Sequence, residues 1–327
     1  MNGISICIVN FNGENYLEPL LESIENNFVL LKDAYEILIV DNSSTDRSFK
    51  IIEDAKIKND KILLFLNQAN EGFGKANNKI VSYAKFDTIM LLNNDTKIID
   101  LSHIIRYMNE NKFCENQILS CTILNPDRSK QKNVFAFPVL FKVILELFLL
   151  KAYIKRFVKL NNINEIKNKS NFYFSGCFFI ISKSLFNSVN GFNEQFTFYH
   201  EEADLFMRMK RLNPQKIYFK NDKILHYGGG GNLSEDSFVK YYLNLYRLFY
   251  IHINSNFRWL LRPIFLGGLT FRILLCLMNF HIHYSPFDNF YKYDNDNSRF
   301  TSREIIKMHM LVYKSIKTNF FCKLRNN

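Results

Sequence analysis

The stretch Thr88-Ile89-Met90-Leu91-Leu92-Asn93-Asn94-Asp95-Thr96-Lys97-Ile98 decides how the chain folds. Its apolar run, Ile89 to Leu92, predicts a short buried strand. The run stops abruptly in four small polar residues, Asn93 to Thr96. A carboxylate placed just after a buried strand stands at the carboxyl edge of a sheet, where open α/β sheets hold ligands. Asp95 is therefore the first candidate site residue. Its oxygen suits a divalent cation and, through it, the phosphates of a nucleotide.

The same pattern occurs three times upstream. Ile4 to Val9 is an apolar run ending in Asn10-Phe11-Asn12-Gly13. Glu36 to Val40 ends in Asp41-Asn42-Ser43-Ser44-Thr45-Asp46, and Ile62 to Leu66 ends in Asn67-Gln68-Ala69-Asn70-Glu71-Gly72. Helical stripes separate the runs: Leu17, Leu20, Leu21, Ile24 and Phe28, then Phe49, Ile52 and Ala55, then Phe73, Ala76, Ile80 and Tyr83. Strands alternating with helices predict an α/β fold with a mainly parallel central sheet and right-handed crossovers. Singly, each polar strand end reads as a turn or helix cap. Together, near Asn10, Asp41, Asn67 and Asp95, they line one edge and can converge on one ligand.

Further along, Gln117 to Leu124 predicts another strand, followed by the turn Asn125-Pro126-Asp127-Arg128. Phe172 to Ser182 predicts a strand around Ser175-Gly176, where the glycine fits a bulge or a close ligand approach. Ser184 to Val189 reads as a short helix and Gly191-Phe192-Asn193-Glu194 as a turn. His200-Glu201-Glu202-Ala203-Asp204 opens a helix; carboxylates there suit the helix dipole, and one of them suits a general base. It is not the HExxH zinc motif, since Asp204 occupies the second histidine position. Ile217 to Phe219 and Lys223 to Leu225 are short strands. His226 then precedes the run Gly228 to Gly231, whose mobility and free amides suit a loop closing over a pyrophosphate.

The expected organisation is a catalytic domain over residues 1–235, carrying a basic and apolar insertion at 135–170 that faces a membrane, and a helical region over 236–327. Tyr241, Tyr242, Leu245, Leu248 and Phe249 form a helical stripe there, whereas the tail after Phe287 carries no strong signal. Phe135–Leu150 and Trp259–Phe280 are apolar, but the first is broken by Pro138, Lys142 and Glu146 and the second by Arg262, Pro263 and Arg272. A span needs roughly 20 mostly apolar residues, so both segments read as helices lying in a membrane interface with their cations reaching to water, or else as helices packed on the protein itself.

The net charge of +11 suits phosphorylated substrates, anionic lipid or nucleic acid. With no zinc-finger or RNA-recognition signature, a membrane surface plus a nucleotide is favoured and nucleic acid is not expected as a partner. The six cysteines contain no CxxC pair, which predicts a reducing, cytosolic setting without disulfides. The N-terminus shows no secretory signal.

Eight segments, in order, resemble family-2 glycosyltransferases of the GT-A fold, and among them bacterial rhamnosyltransferase-type enzymes of surface polysaccharide synthesis. They are Ile6–Asn12, Val40–Asp46, Asn70–Asn77, Leu92–Thr96, Ser175-Gly176, Gly191–Glu194, Glu201–Leu205 and His226. The resemblance implies a nucleotide-diphospho-sugar transferase fold with C-terminal helices and an inverting transfer from a UDP- or dTDP-sugar. It implies a glycan or lipid-linked acceptor and a cytoplasmic enzyme peripheral on the inner face of the membrane. It assigns Asn10, Asn12, Asp41, Ser43, Asn70, Gly72, Asn77, Asn94 and Gly176 to the nucleotide-sugar site. Asp95 and His226 become ligands of Mg²⁺ or Mn²⁺, and Glu202 the base, with Asp204 and Glu201 beside it. Two departures stand out: Asn93-Asn94-Asp95 offers one carboxylate where the family motif has Asp-x-Asp, and Glu202 replaces an Asp.

A nucleotidyltransferase also combines a parallel sheet with a metal, but its first loop should be glycine-rich and basic; here it is Asn12-Gly13-Glu14-Asn15. A non-catalytic, membrane-associated carbohydrate-binding protein accounts for the apolar C-terminal region but not for the polar strand ends.

Overall fold

A computed structural model describes residues 3–31, 34–148, 171–228, 234–278 and 302–318. They form two compact units, Met1–Phe137 with Ile166–Gly231, and Pro138–Glu165 with Asn232–Asn327.

The first unit is built on strands β1 (Ile4–Asn10), β2 (Tyr35–Asp41), β3 (Ile62–Leu66) and β4 (Thr88–Asn93), with helices α1 (Leu17–Phe28), α2 (Ser48–Lys58) and α3 (Phe73–Tyr83) between them. These four strands run parallel in the order β3-β2-β1-β4, which brings Asn10 beside Asp41 in register. Their side chains alternate between two apolar layers. Ile6, Ile8, Ile37 and Ile39 meet α1 and α2, whereas Cys7, Leu38 and Val40 meet α3. Burial on both faces makes β1, β2 and β4 near-continuous apolar runs, which is why they are legible in sequence; β3, at the sheet edge, is apolar but partly exposed.

The chain continues through β5 (Thr96–Asp100), α4 (Ser102–Asn109), β6 (Gln117–Leu124), β7 (Lys130–Gln131) and β8 (Val134–Ala136). After α5 (Leu140–Leu147) come β9 (Phe172–Phe174), β10 (Phe178–Ser182), α6 (Lys183–Ser188), α7 (Glu201–Met209) and β11 (Gln215–His226). The sheet extends from β4 through β10, β6 and β11 to β5, with β7 paired to β6. β10 runs antiparallel to both β4 and β6, and β11 antiparallel to β5 but parallel to β6. The sheet is mixed beyond β4, as expected of a mainly parallel one.

Two expectations about strands are corrected here, and two elements were not expected. Phe172–Ser182 is two strands, because Ser175-Gly176-Cys177 breaks it: β9 leaves to pair with β8, and only β10 stays in the main sheet. Ile217–Phe219 and Lys223–Leu225 are one strand, β11, interrupted where Lys220-Asn221-Asp222 bulge out of register against β6. β5 and α4 were not expected, because β5 covers only five positions and its sequence, Thr96-Lys97-Ile98-Ile99-Asp100, shows no alternation of apolar and polar residues.

The bulge has a use within the fold. Asp222 is fully buried there, and its carboxylate accepts from the amides of His103 at 3.3 Å and Ile104 at 2.7 Å, with His103 Nδ1 at 2.7 Å. Those amides are orphan donors at the start of α4.

In the second unit, α5 packs with α8 (Glu235–His252), α9 (Arg258–Leu277) and α10 (Ser302–Lys317). Phe238, Tyr242, Leu245, Phe265, Leu269, Met308 and Val312 form its core. A Cβ on Gly268 would lie 2.7 Å from the Leu147 side chain, so glycine sets how closely α9 approaches α5. Arg272 does not reach to water as expected. It is buried, and its guanidinium donates to the carbonyls of Leu147, at 3.0 Å, and Glu146. α10 lies in the tail where no signal was expected, although Met308, Val312 and Ile316 recur at helical spacing. The helix Ser255–Leu277 is long and apolar enough to cross a membrane by length and composition, with a third of it buried within the unit.

Replacing Asp222 by Ala leaves the two α4 amides without their acceptor. It should cost about 1–3 kcal/mol, read as a lower urea midpoint with an unchanged m-value.

Candidate active site

At the carboxyl edge of β1, β2 and β4 the polar strand ends are joined by one side chain. Asn10 is buried; its Nδ2 donates to Asp41 Oδ1 at 2.7 Å and Ser44 Oγ at 3.1 Å, and its Oδ1 accepts from Asn94 Nδ2 at 2.9 Å. Asp41 accepts in addition from the Ser44 hydroxyl at 2.6 Å and the Ser44 amide at 3.0 Å. Gly13 lies against this junction: a Cβ there would fall 2.3 Å from Asn10 Oδ1 and 2.5 Å from Asn94 Nδ2. Asn12 (φ 51°) accepts from the Thr45 amide at 2.8 Å, which draws the loops after β1 and β2 together.

A second set of contacts ties β2 to the loop after β3. Asn42, absent from the sequence-derived candidates, donates to Asn70 Oδ1 at 2.9 Å and accepts from Asn67 Nδ2 at 2.9 Å and the Glu71 amide at 3.0 Å. Ser43 is left-handed (φ 68°), and its hydroxyl reaches the Gln68 carbonyl at 3.5 Å. Asn70 also accepts from the Gly72 amide at 3.0 Å. Gly72 (φ 83°) needs to be glycine on two counts, since a Cβ would also lie 2.9 Å from the Thr197 carbonyl. Asn77 is separate from this set: it is buried one turn into α3 and donates to the Phe73 carbonyl at 2.9 Å.

Asp95 and His226 meet across the β5–β11 pair, with His226 Nε2 3.2 Å from Asp95 Oδ1. His226 Nδ1 lies 2.7 Å from Gln131 Oε1. That oxygen only accepts, so Nδ1 carries a proton toward it, which fixes the ring with Nε2 facing the carboxylate. A carboxylate oxygen and an imidazole nitrogen that face each other are ligand types a divalent cation takes. A mostly buried pair of one carboxylate oxygen and one imidazole nitrogen fits Mg²⁺ or Mn²⁺ with its remaining positions open to oxygen ligands. Gln131 was not expected; its only sequence signal is the turn before it. A second cluster, Asp100, His103 and Asp222, brings one ligand atom from each within 4.8 Å, but both Asp222 oxygens already hold the start of α4.

α7 supplies the carboxylates. Tyr199 and His200 directly before it both have left-handed backbones (φ 70° and 68°), a strained pair of the kind that collects at functional sites. Burial drives the His200 imidazole down to about 4, so it is neutral at physiological pH. Asp204 is buried and ion-paired to Arg208 at 2.8 Å, and Arg208 also donates to the Val189 carbonyl. Glu202 is partly exposed beside Gly176, where a glycine Cβ would lie 3.8 Å from its carboxyl carbon and 3.7 Å from Phe73. Burial raises its carboxyl above the ordinary range, against hydrogen bonds from its own backbone and that of Gly176. The Cys177 thiol is pushed up to about 12, first by burial, with the Asp95 and Glu202 charges adding to the shift. Backbone geometry links the two sides: the Asn93 amide donates to the Cys177 carbonyl at 3.0 Å, next to the Gly176 that Glu202 faces. Residues 229–231 of the glycine run lie outside the described residues.

The model of the family described as glycosyl transferase family 2 matches residues 5–189. The chain belongs to glycosyl transferase family 2. Rhamnosyltransferase WbbL of Escherichia coli K12 is 26% identical over 288 residues, covering 82% of this chain and 96% of that protein. A poly(ribitol-phosphate) beta-glucosyltransferase of Bacillus spizizenii is 32% identical over 115 residues, 35% of this chain and 18% of that protein. The mannosyltransferase PcManGT of Pyrobaculum calidifontis, solved in complex with GDP-Man and Mn²⁺, superposes with a TM-score of 0.55 at 12% identity, covering 98% of this chain and 87% of that one. At that identity the likeness shows the fold, the GT-A glycosyltransferase fold.

Within this glycosyltransferase, Glu201 yields a stability prediction. It is buried, its Oε2 has no hydrogen-bond partner among the described residues, and burial followed by the Glu202 charge raises its carboxyl well above normal. Between the unfolded and folded values the native state binds more protons, so stability falls as pH rises through that window. Glu201→Gln should therefore raise Tm at pH 8, and the gain should shrink toward pH 5. Equal Tm for both proteins at pH 8 would show that the carboxyl is not confined as described.

Proposed function

We propose that this glycosyltransferase moves a sugar from a UDP- or dTDP-sugar to a hydroxyl of a glycan or lipid-linked acceptor, with inversion at the anomeric carbon, in surface polysaccharide synthesis. The observation that carries the proposal is the Asn10–Asp41–Asn94 junction and the Asp95–His226 pair at one sheet edge, with Glu202 facing Gly176, whose neighbour Cys177 accepts from the Asn93 amide at 3.0 Å. The similarity to a rhamnosyltransferase over nearly its whole length supports the substrate class.

In this reading Asn10, Asn12, Asp41, Ser43, Asn70, Gly72, Asn94 and Gly176 line the donor, with Asn77 holding the start of α3 in place. Asp95 Oδ1 and His226 Nε2 would hold Mg²⁺ or Mn²⁺, which when bound neutralises charge on the departing diphosphate. Glu202 accepts the proton of the acceptor hydroxyl as its oxygen attacks the anomeric carbon. The bond from that carbon to the phosphate oxygen breaks, and its electron pair leaves with the nucleoside diphosphate. A carboxylate raised by burial is a stronger base than a solvated one. Asp204, paired to Arg208, anchors the helix that presents Glu202. Glu201 completes the acidic turn, its carboxyl raised by burial and by the Glu202 charge.

The second unit supports a peripheral position on the inner face of a membrane. Trp259, Leu274, Leu277 and Met278 of the α9 segment are 70%, 53%, 63% and 66% exposed, with Phe141 of α5 at 65%. Arg258 and Arg262 lie on the same helix. Exposed apolar side chains of this size with neighbouring cations suit the boundary between headgroups and acyl chains.

Glu202→Gln should lower kcat about 10²–10⁴-fold with nucleoside diphosphate binding retained, and Asp95→Ala should weaken metal-dependent binding of the diphosphate. Asp204→Asn should mainly lower Tm. In the wild type, kcat should fall with acidification from above the ordinary glutamate range, because Glu202 protonates there. Full turnover by Glu202→Gln in a donor-consumption assay would remove it as the base.

A further inference from the structure

The outer strands of the sheet carry a cleft of about 570 Å³ whose charged residues are all cationic. Arg128, Lys130, Lys220 and Lys223 wall it, Thr122 and Leu124 lie beneath, and no carboxylate lines it. None of the four cations forms an ion pair among the described residues. The neighbouring acids, among them Asp100 opposite Lys223 in the β5–β11 pair, are engaged elsewhere. Asp222 is buried under the start of α4, Asp127 holds the Ser129 amide and hydroxyl at 2.9 and 2.6 Å, and Asp100 accepts from the Ser102 amide at 2.8 Å.

Two irregularities of the backbone bring these cations together. The register shift between Phe219 and Lys223 throws three extra residues out of β11, Lys220 among them, and Lys223 resumes the ladder opposite Thr122. Across from them, the turn after β6 closes with the Asn125 amide donating to the Ser129 carbonyl at 2.9 Å and holds Arg128 left-handed at φ 66°. Glycine or asparagine would adopt that backbone with less strain, so the turn keeps an arginine where backbone geometry alone favours a smaller residue. Lys130 and Gln131 are consecutive in β7 and so address opposite faces of the strand. Gln131 turns to His226, and Lys130 lines the cleft.

We propose that this cleft is a second anion site, separate from the donor pocket, that takes a diphosphate or a pair of clustered phosphates. Four unpaired cations from two facing backbone segments match a ligand with at least two negative charges. The arginine offers a planar fork to phosphate oxygens, and the lysines add mobile point charges. The inference does not depend on the catalytic assignments. Such phosphates can come from a soluble diphosphate or from the headgroups of an anionic lipid.

The test uses the full chain in EDTA, so that metal-dependent diphosphate binding is silent. Pyrophosphate is titrated by calorimetry. Co-sedimentation is measured with phosphatidylglycerol-containing vesicles and with pure phosphatidylcholine vesicles. The variant Arg128→Gly with Lys220→Gln removes two cations and relaxes the strained turn; Lys56→Gln with Lys58→Gln removes two exposed charges from α2 as a control. The cleft variant should weaken one probe about tenfold or more, the equivalent of about 1.4 kcal/mol, while the control behaves as wild type. A loss confined to pyrophosphate identifies a soluble diphosphate, and one confined to phosphatidylglycerol vesicles identifies a lipid headgroup. Arg128→Gly alone, which should fold at least as well as wild type, should show the same loss in smaller degree. Equal binding of both probes by the cleft variant and the control, or binding of neither by the wild type, would overturn the proposal.

Discussion

One amide organises the catalytic edge. Asn10 stands fully buried at the end of the central strand, donates to Asp41 on one side and accepts from Asn94 on the other. A neutral side chain that both donates and accepts can join a carboxylate to an amide without adding charge to a buried place. An unpaired polar group there would cost about 1–3 kcal/mol, so the three strand ends are constrained together. Gly13 follows from this, because any side chain at that position would occupy the space of the Asn10–Asn94 contact. So does the tight path of the loop after β2, whose Ser44 shares the same carboxylate.

The opposite side of the site depends on α7. Its entry through two left-handed residues and its Asp204–Arg208 pair fix the first turn. The acidic residues then differ in character. Asp204 is neutralised by a cation, Glu201 is confined without a compensating charge, and Glu202 meets Gly176 at a partly open position. That difference comes from environment, not from residue type, and it is what makes Glu202 the proposed base. Gly176 lies between Glu202 and Phe73 at the start of α3, within van der Waals reach of both.

The first four strands were legible in sequence because each is a short apolar run ending in a polar turn, and β1, β2 and β4 are buried on both faces. The polar ends likewise marked most of the candidate site. What escaped has local causes. β5 and β7 are too short to show a period, and the break at Ser175-Gly176 looks like one strand because both of its halves are apolar. Asn42 and Gln131 were missed for another reason: their roles exist only through partners distant in the chain, such as the 95-residue separation between Gln131 and His226. Arg272 read as a surface cation because hydropathy does not report that two helix-terminal carbonyls of α5 would accept its guanidinium.

The central claim is that the Asn10 junction and the Asp95–His226 pair together form one diphosphate-binding edge. Calorimetric titration of UDP, dTDP and GDP into wild-type protein and Asn10→Ala, each with and without Mn²⁺, tests it most directly. The account predicts Mn²⁺-dependent binding of at least one nucleotide by the wild type, and its loss in a folded Asn10→Ala protein. Undiminished binding by that variant, or no Mn²⁺-dependent binding of any of the three by the wild type, would contradict it.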